Sequence, residues 1–182
     1  MSEYRPFPDD ARRNTLQALA EIPALVALLA VPTGGRVLEI GCGRGNALRP
    51  LRDALRAAAV VGLDLDRSLL EVGAAALARD AVGLVCADAR LLPFADEAFD
   101  LVVDFGTCYH IGDPDRALRE IARVLRWGGH FVAESRLSQL VAHPDGFSGA
   151  RLPWAAAPAL VLVRHAGMWS LSRRERAAAR DG

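Results

Sequence analysis

Lysine is absent from this 182-residue chain: all 22 basic residues are arginine, balanced by 22 acidic ones, so the formal net charge is zero. A neutral balance removes the broad attraction by which basic chains capture nucleic acid or anionic membranes, and neither is an expected partner. Cysteine is scarce, with only Cys42, Cys86 and Cys108, no C-x-x-C pair and no cysteine/histidine cluster. That spacing argues against a disulfide framework or a structural zinc site, and no metal is expected. Long apolar runs are also lacking: the longest, Ile22 to Pro32 and Trp154 to Val163, fall well short of the ~20 residues that span a bilayer. The first residues include Glu3, Arg5, Asp9 and Asp10 without the layout of a secretory leader, so a reduced, cytoplasmic location is expected. With 52% apolar and 24% charged residues, the length and composition suit one globular domain over residues 1–182.

What is present centres on Val37-Leu38-Glu39-Ile40-Gly41-Cys42-Gly43-Arg44-Gly45-Asn46. A buried strand runs into three alternating glycines, and an amphipathic helix pattern follows at once. Glycines there allow a sharp turn and close approach of a ligand, while a helix start offers unpaired amides to an electronegative group. By itself such a turn is also an ordinary tight connection. A dinucleotide turn reads G-x-G-x-x-G, and Asn46 stands at its third glycine position, so the spacing departs from that pattern.

The chain in order reads as alternating strands and helices. Residues 1–10, with Pro6 and Pro8, are expected to be extended or irregular; Asp9 or Asp10 can cap a helix from Ala11, which Pro23 is expected to interrupt before a second helical run from Ala24 to Ala30. Residues 1–33 are read as a helical lid, with core packing or a dimer contact as the alternative. Asn46 can cap a helix through about Ala58, on which Leu48, Leu51 and Leu55 share a face. Val60 to Asp64 is a short strand, and Asp64 at its carboxyl end is placed to accept bonds from ribose hydroxyls, unless it caps the helix from Arg67; Asp66 is better placed for that cap. A third strand, Gly83 to Ala87, ends at Asp88, which is either an adenine reader or a turn aspartate bonded to its own backbone. Phe99 to Phe105 is a fourth strand, followed by Thr107, Cys108, Tyr109 and His110. Asp113-Pro114 starts a helix that Gly128 ends, and Gly129 to Glu134 is a fifth strand. Repeated β-α units imply a parallel sheet with helices on both faces and ligands at the strands' carboxyl ends. Residues 136–157 lack a period, and Ala159 to Leu171 carries a hairpin signal.

Glu39 to Gly45, Val60 to Asp64, Asp88 to Phe94, Phe99 to Asp104 and Leu118 to Val132, in that order and spacing, resemble the blocks of class I S-adenosylmethionine-dependent methyltransferases, in particular their small-molecule branch. The resemblance covers about residues 36 to 135. It implies an α/β, Rossmann-like three-layer sandwich: a seven-stranded, mostly parallel sheet with an antiparallel C-terminal hairpin whose last strand inserts between the fifth and sixth. Residues 34–135 would be the cofactor-binding core and 136–182 a short loop and hairpin. Gly41, Gly43 and Gly45 would lie beside the methionine part of the cofactor, with Glu39 supporting the turn. Asp64 would take the ribose, Leu65 the adenine face, Asp88 and Ala89 the adenine edge, and Asp104 and Phe105 the pocket near the sulfonium. Trp127 stands where the family usually has proline before paired glycines.

Methyl transfer to a small O, N or C acceptor, with S-adenosylhomocysteine as product, is therefore the expected activity. Alignment of acceptor and methyl, with water excluded, is the main demand on the protein. Where the acceptor must lose a proton, His110 is the first candidate base, because histidine ordinarily titrates near about 6.5; Tyr109 and Asp104 follow. A packing role is the alternative for His110. Three rival readings stand beside methyl transfer: a nicotinamide-dependent dehydrogenase, which Asn46 and Asp88 disfavour; a nucleic-acid methyltransferase, which would be expected to show a basic face or an Asn/Asp-Pro-Pro-aromatic motif where this chain reads Asp104-Phe105-Gly106-Thr107; and a cofactor-binding subunit or sensor without catalysis. The acceptor pocket is expected from residues 1–30, 105–113 and 136–157, and a homodimer would complete so small a site.

Overall fold

The computed structural model describes residues 14–134, 152–166 and 169–176. Seven strands form one sheet: β1 Arg36–Ile40, β2 Ala59–Asp64, β3 Val82–Cys86, β4 Phe99–Asp104, β5 Leu125–Glu134, β6 Leu160–Ala166 and β7 Trp169–Arg174. Their order across the sheet is β3-β2-β1-β4-β5-β7-β6. The first five run parallel, and β7 lies antiparallel between β5 and β6, with Val132 opposite Leu171. The expected sheet and inserted hairpin are both present. Because β2 and β4 flank β1, the chain reverses its direction of travel across the sheet at β1. The carboxyl ends of β1 and β4 therefore open a crevice at the switch point.

Helices cover both faces, so the central strands can be apolar on both sides. On one face Leu38, Ile40, Val102 and Phe131 meet Leu118 and Ile121 of a helix, Pro114–Val124, that we number α4. On the other, Val37, Val103 and Val132 meet Ile22, Leu25 and Leu29 of α1 (Ile22–Leu29) and Leu51 and Leu55 of α2 (Leu48–Leu55). The remaining helix, α3 (Arg67–Ala76), is capped by Asp66, whose carboxylate accepts the Ser68 and Leu69 amides at 2.8 and 3.3 Å.

Three local expectations are corrected. Pro23 does not interrupt the N-terminal helical run. Residues 14–29 are continuously helical, because a π-turn at Gln17–Glu21 shifts the register, with Ile22 N–H donating to the Gln17 carbonyl just before the residue that has no amide proton. Asn46 does not cap α2: the turn closes with Gly45 N–H on the Cys42 carbonyl and Leu48 N–H on the Gly45 carbonyl, and the N-cap is Ala47. Helix α4 stops at Val124 rather than at Gly128, which lies inside β5 with φ +75°. There the pairing slips between Phe99 and Leu101, Trp127 lies 3.9 Å under the Arg174 guanidinium, and Arg126 pairs with Asp100. The expected cap at Asp9 or Asp10, and most of 136–157, lie outside the described residues.

Candidate functional site

The glycines of the turn after β1 perform different tasks. Gly41 has φ +70°, its N–H donates to the Leu63 carbonyl at 2.7 Å, and a Cβ there would fall on the Thr107 side chain. Gly43, at φ +54°, has open space over it: a Cβ would meet nothing nearer than Leu69 Cδ1 at 4.0 Å. Gly45 packs beneath Leu77. The free approach to the backbone is thus at Gly43, where the positive φ also favours glycine.

Asp64 is joined to that open position. Its Oδ2 accepts the Gly43 amide at 2.7 Å and its Oδ1 accepts the Asp66 amide at 2.9 Å. Because Asp66 caps α3, the Asp64 carboxylate is spared for the turn and retains acceptor capacity. Leu65 follows at the same edge with 69% of its surface exposed. Glu39 is buried behind the turn. Burial, with the negative fields of Glu39 and Asp64, pushes the Cys42 thiol far above its usual range, so Cys42 is no nucleophile.

At the end of β3, Ala87 N–H continues the ladder to the Asp64 carbonyl at 3.0 Å, which sets Asp88 beside Asp64 along the edge. Asp88 is gripped by Arg90, through Nη2 at 2.6 Å, Nε at 3.0 Å to each oxygen, and the Arg90 amide at 2.8 Å. That guanidinium holds the Asp88 carboxyl below its usual range. Ala89 is buried. Behind them Glu120 and Arg123 of α4 fix the next loop: Leu92 N–H donates to Glu120 at 2.8 Å, and Arg123 donates to the Phe94 and Leu92 carbonyls at 2.9 and 3.0 Å. These two residues were not found from sequence, since on an amphipathic helix they read as a solvated face. Replacing Arg123 with alanine orphans both carbonyls; urea unfolding should show a loss of about 1–2 kcal/mol.

At the end of β4 the carboxylate of Asp104 points inward. It is fully buried and accepts the Thr107 amide at 2.6 Å and the Cys108 amide at 3.2 Å. Burial is the largest influence on it and pushes its pKa up to about 6, against the lowering effect of those bonds. Tyr109 is buried too, and its hydroxyl donates to the Glu134 carbonyl at 3.0 Å. Phe105 is buried, whereas His110, last residue of the short 3-10 turn Thr107–His110, is exposed. The carboxyl edge therefore brings together Gly43, Asp64, Leu65 and Asp88, while Asp104 and Tyr109 turn away from it into the protein.

Two clefts of about 240 and 520 Å³ flank this edge, one beside Arg67, Glu71 and Cys86 and one between Thr15, Leu19 and Leu77 that touches the glycine turn at Arg44, Gly45 and Asn46. Neither includes Asp64 or Asp88, and the polar groups at the strand ends locate the site better than cleft size. Among the described residues there is no cluster of three metal-ligating side chains and no helix long and apolar enough to cross a membrane.

Comparison with known proteins adds identity to this geometry. A demethylmenaquinone methyltransferase of Roseiflexus castenholzii is 38% identical over 106 residues, 58% of this chain and 44% of that protein. The methyltransferase GfsG of Streptomyces halstedii is 35% identical over 135 residues, 71% of this chain and 48% of that protein. This chain thus spans about half the length of those curated relatives. A crystal structure of an S-adenosylmethionine-dependent methyltransferase from Mesorhizobium loti superposes with a TM-score of 0.57 at 33% identity, covering 66% of this chain and 56% of that one. The family model described as a methyltransferase domain matches residues 38–133, which include the glycine turn, Asp64, Asp88 and the end of β4. The chain belongs to the methyltransferase domain family.

Proposed function

We propose that this protein transfers the methyl group of S-adenosylmethionine to a small-molecule acceptor. The observation that carries the reading is the coupling of Asp64 to the open backbone at Gly43, with Asp66 relieving Asp64 of the helix cap. The donor set fits the cofactor: an uncovered glycine backbone for the methionine end, an acceptor carboxylate for two ribose hydroxyls, exposed Leu65 for the adenine face, and Asp88 with the Ala89 amide for the adenine edge. Gly41 and Gly45 support the turn through packing, and Glu39 supports it from behind.

S-adenosylmethionine held there would supply an electrophilic methyl on a positively charged sulfur for a nucleophilic atom of the acceptor, with S-adenosylhomocysteine as the leaving group. The chain's own task is orientation and exclusion of water. Phe105 and the turn bearing Tyr109 and His110 stand at the end of β4, next to the glycine turn through the Gly41–Thr107 approach. His110 is the exposed member of the candidate bases and takes the acceptor's proton. Replacing it with alanine should lower methyl transfer about 100-fold or more while leaving S-adenosylhomocysteine affinity unchanged; equal turnover leaves His110 only a packing role. The relatives named as demethylmenaquinone and phthiotriol/phenolphthiotriol dimycocerosates methyltransferases support a small organic acceptor over a macromolecule.

Incubation with methyl-labelled S-adenosylmethionine and a metabolite pool tests the activity directly. Transfer of label to a small molecule is the expected result. Tight cofactor binding with no transfer to any acceptor supports the second reading, a binding subunit or sensor. The inward engagement of Asp104 and Tyr109 is what favours that alternative.

A further inference from the structure

We propose that Arg90 is a latch on the adenine-reading carboxylate: its guanidinium has to leave Asp88 before a purine amino group can bond there. The proposal rests on the cofactor reading above and adds a residue to it. An ionised carboxylate has about four lone-pair sites. In Asp88 both oxygens are engaged by three N–H groups of Arg90: the amide at 2.8 Å on Oδ1, Nη2 at 2.6 Å on Oδ2, and the single Nε–H shared between the two at 3.0 Å, so the guanidinium spans both oxygens. The amide contact belongs to the turn and stays. The guanidinium is what can be removed.

The surroundings suit such an exchange. The side chains of Arg90 and Asp88 are 43% and 32% exposed, so water and salt weaken the pair and opening it costs little. Asp113, the cap of α4, is a second carboxylate whose field reaches Arg90, and the charge of Arg116 reaches Asp88. A released Arg90 therefore has an alternative acidic neighbour, and Asp88 keeps a cation nearby that favours its ionised form. The loop beyond is pinned by Glu120 and Arg123. Movement is thus confined to one arginine side chain while the Asp88 backbone keeps its place.

The test is calorimetric titration of S-adenosylhomocysteine into the wild-type protein, Arg90→Ala and Arg90→Gln, with thermal unfolding of each to establish that it is folded. At about 20 mM salt both variants should bind about twofold to fivefold more tightly than wild type, and at about 500 mM the gap should close as screening opens the latch in the wild-type protein. Wild-type binding with equal or weaker affinity in both variants overturns the latch and leaves the cofactor reading intact. No binding by any of the three overturns the cofactor reading, and the latch with it.

Discussion

Replacing Asp64 with alanine is expected to lower affinity for S-adenosylhomocysteine by about 100-fold or more, given about 1.5–3 kcal/mol for each hydrogen bond to a charged group. Two ribose hydroxyls would lose their acceptor together. The same carboxylate also ties the Gly43 amide to the start of α3 through Asp66 N–H, so the turn loses its tether as well as its ligand contact. The fold should survive. The strand ladder around Asp64 is made by backbone, including Gly41 and Cys42 N–H on the Leu63 carbonyl and Ala87 N–H on the Asp64 carbonyl, and Asp66 still caps α3. Isothermal titration paired with urea unfolding separates the two effects. Affinity within a few fold of wild type would remove Asp64 from the cofactor site. The conservative Asp64→Asn keeps one acceptor oxygen and should fall between.

How much of this was legible beforehand depended on the range over which each interaction acts. Strands β1 to β5 were readable as short apolar runs between turns, a pattern that burial on both faces imposes on β1 and β4 and that persists in the half-buried edge strand β3, and Asp66 was readable as a cap because its partners lie two and three residues away. The order of those blocks also carried the inserted hairpin, through resemblance rather than pattern. Pro23 misled because a π-turn absorbs a missing amide without breaking the helix, and composition does not show that register shift. Gly128 misled because its left-handed backbone sits in an irregular strand, held by the distant Arg174–Trp127 stack. At the site, Asp64 and Asp88 fell at the expected strand ends. Their bonds did not follow from position: the grip of Arg90 depends on a side-chain rotamer, and the support from Glu120 and Arg123 spans about thirty residues of chain. The inward turn of Asp104 was equally hidden, since a carboxylate at a strand end can face the ligand or its own following turn.

That inward turn gives Asp104 a measurable signature. Its pKa stands near 6 in the folded protein because burial disfavours the charge, above the ordinary carboxylate value. A raised folded-state pKa means that the native protein binds this proton more tightly than the unfolded chain. The stability from that proton is fully present below the ordinary pKa of about 4 and is lost as pH rises through about 6. Asparagine at 104 does not titrate but keeps an oxygen for the Thr107 amide. The stability of Asp104→Asn relative to wild type should therefore shift in the variant's favour by up to about 3 kcal/mol between about pH 4 and pH 8. Denaturant titrations of both proteins at the two pH values check it, and a difference that stays constant would mean Asp104 does not titrate as its burial demands. Asp104→Ala predicts something else. It leaves the Thr107 and Cys108 amides without their acceptor, a cost of about 2–5 kcal/mol at either pH. It also frees the short turn that places Tyr109 and His110, so methyl transfer should fall further than cofactor affinity. Asp104 would then act on the reaction by holding that turn, through backbone amides, with no contact to the reacting atoms.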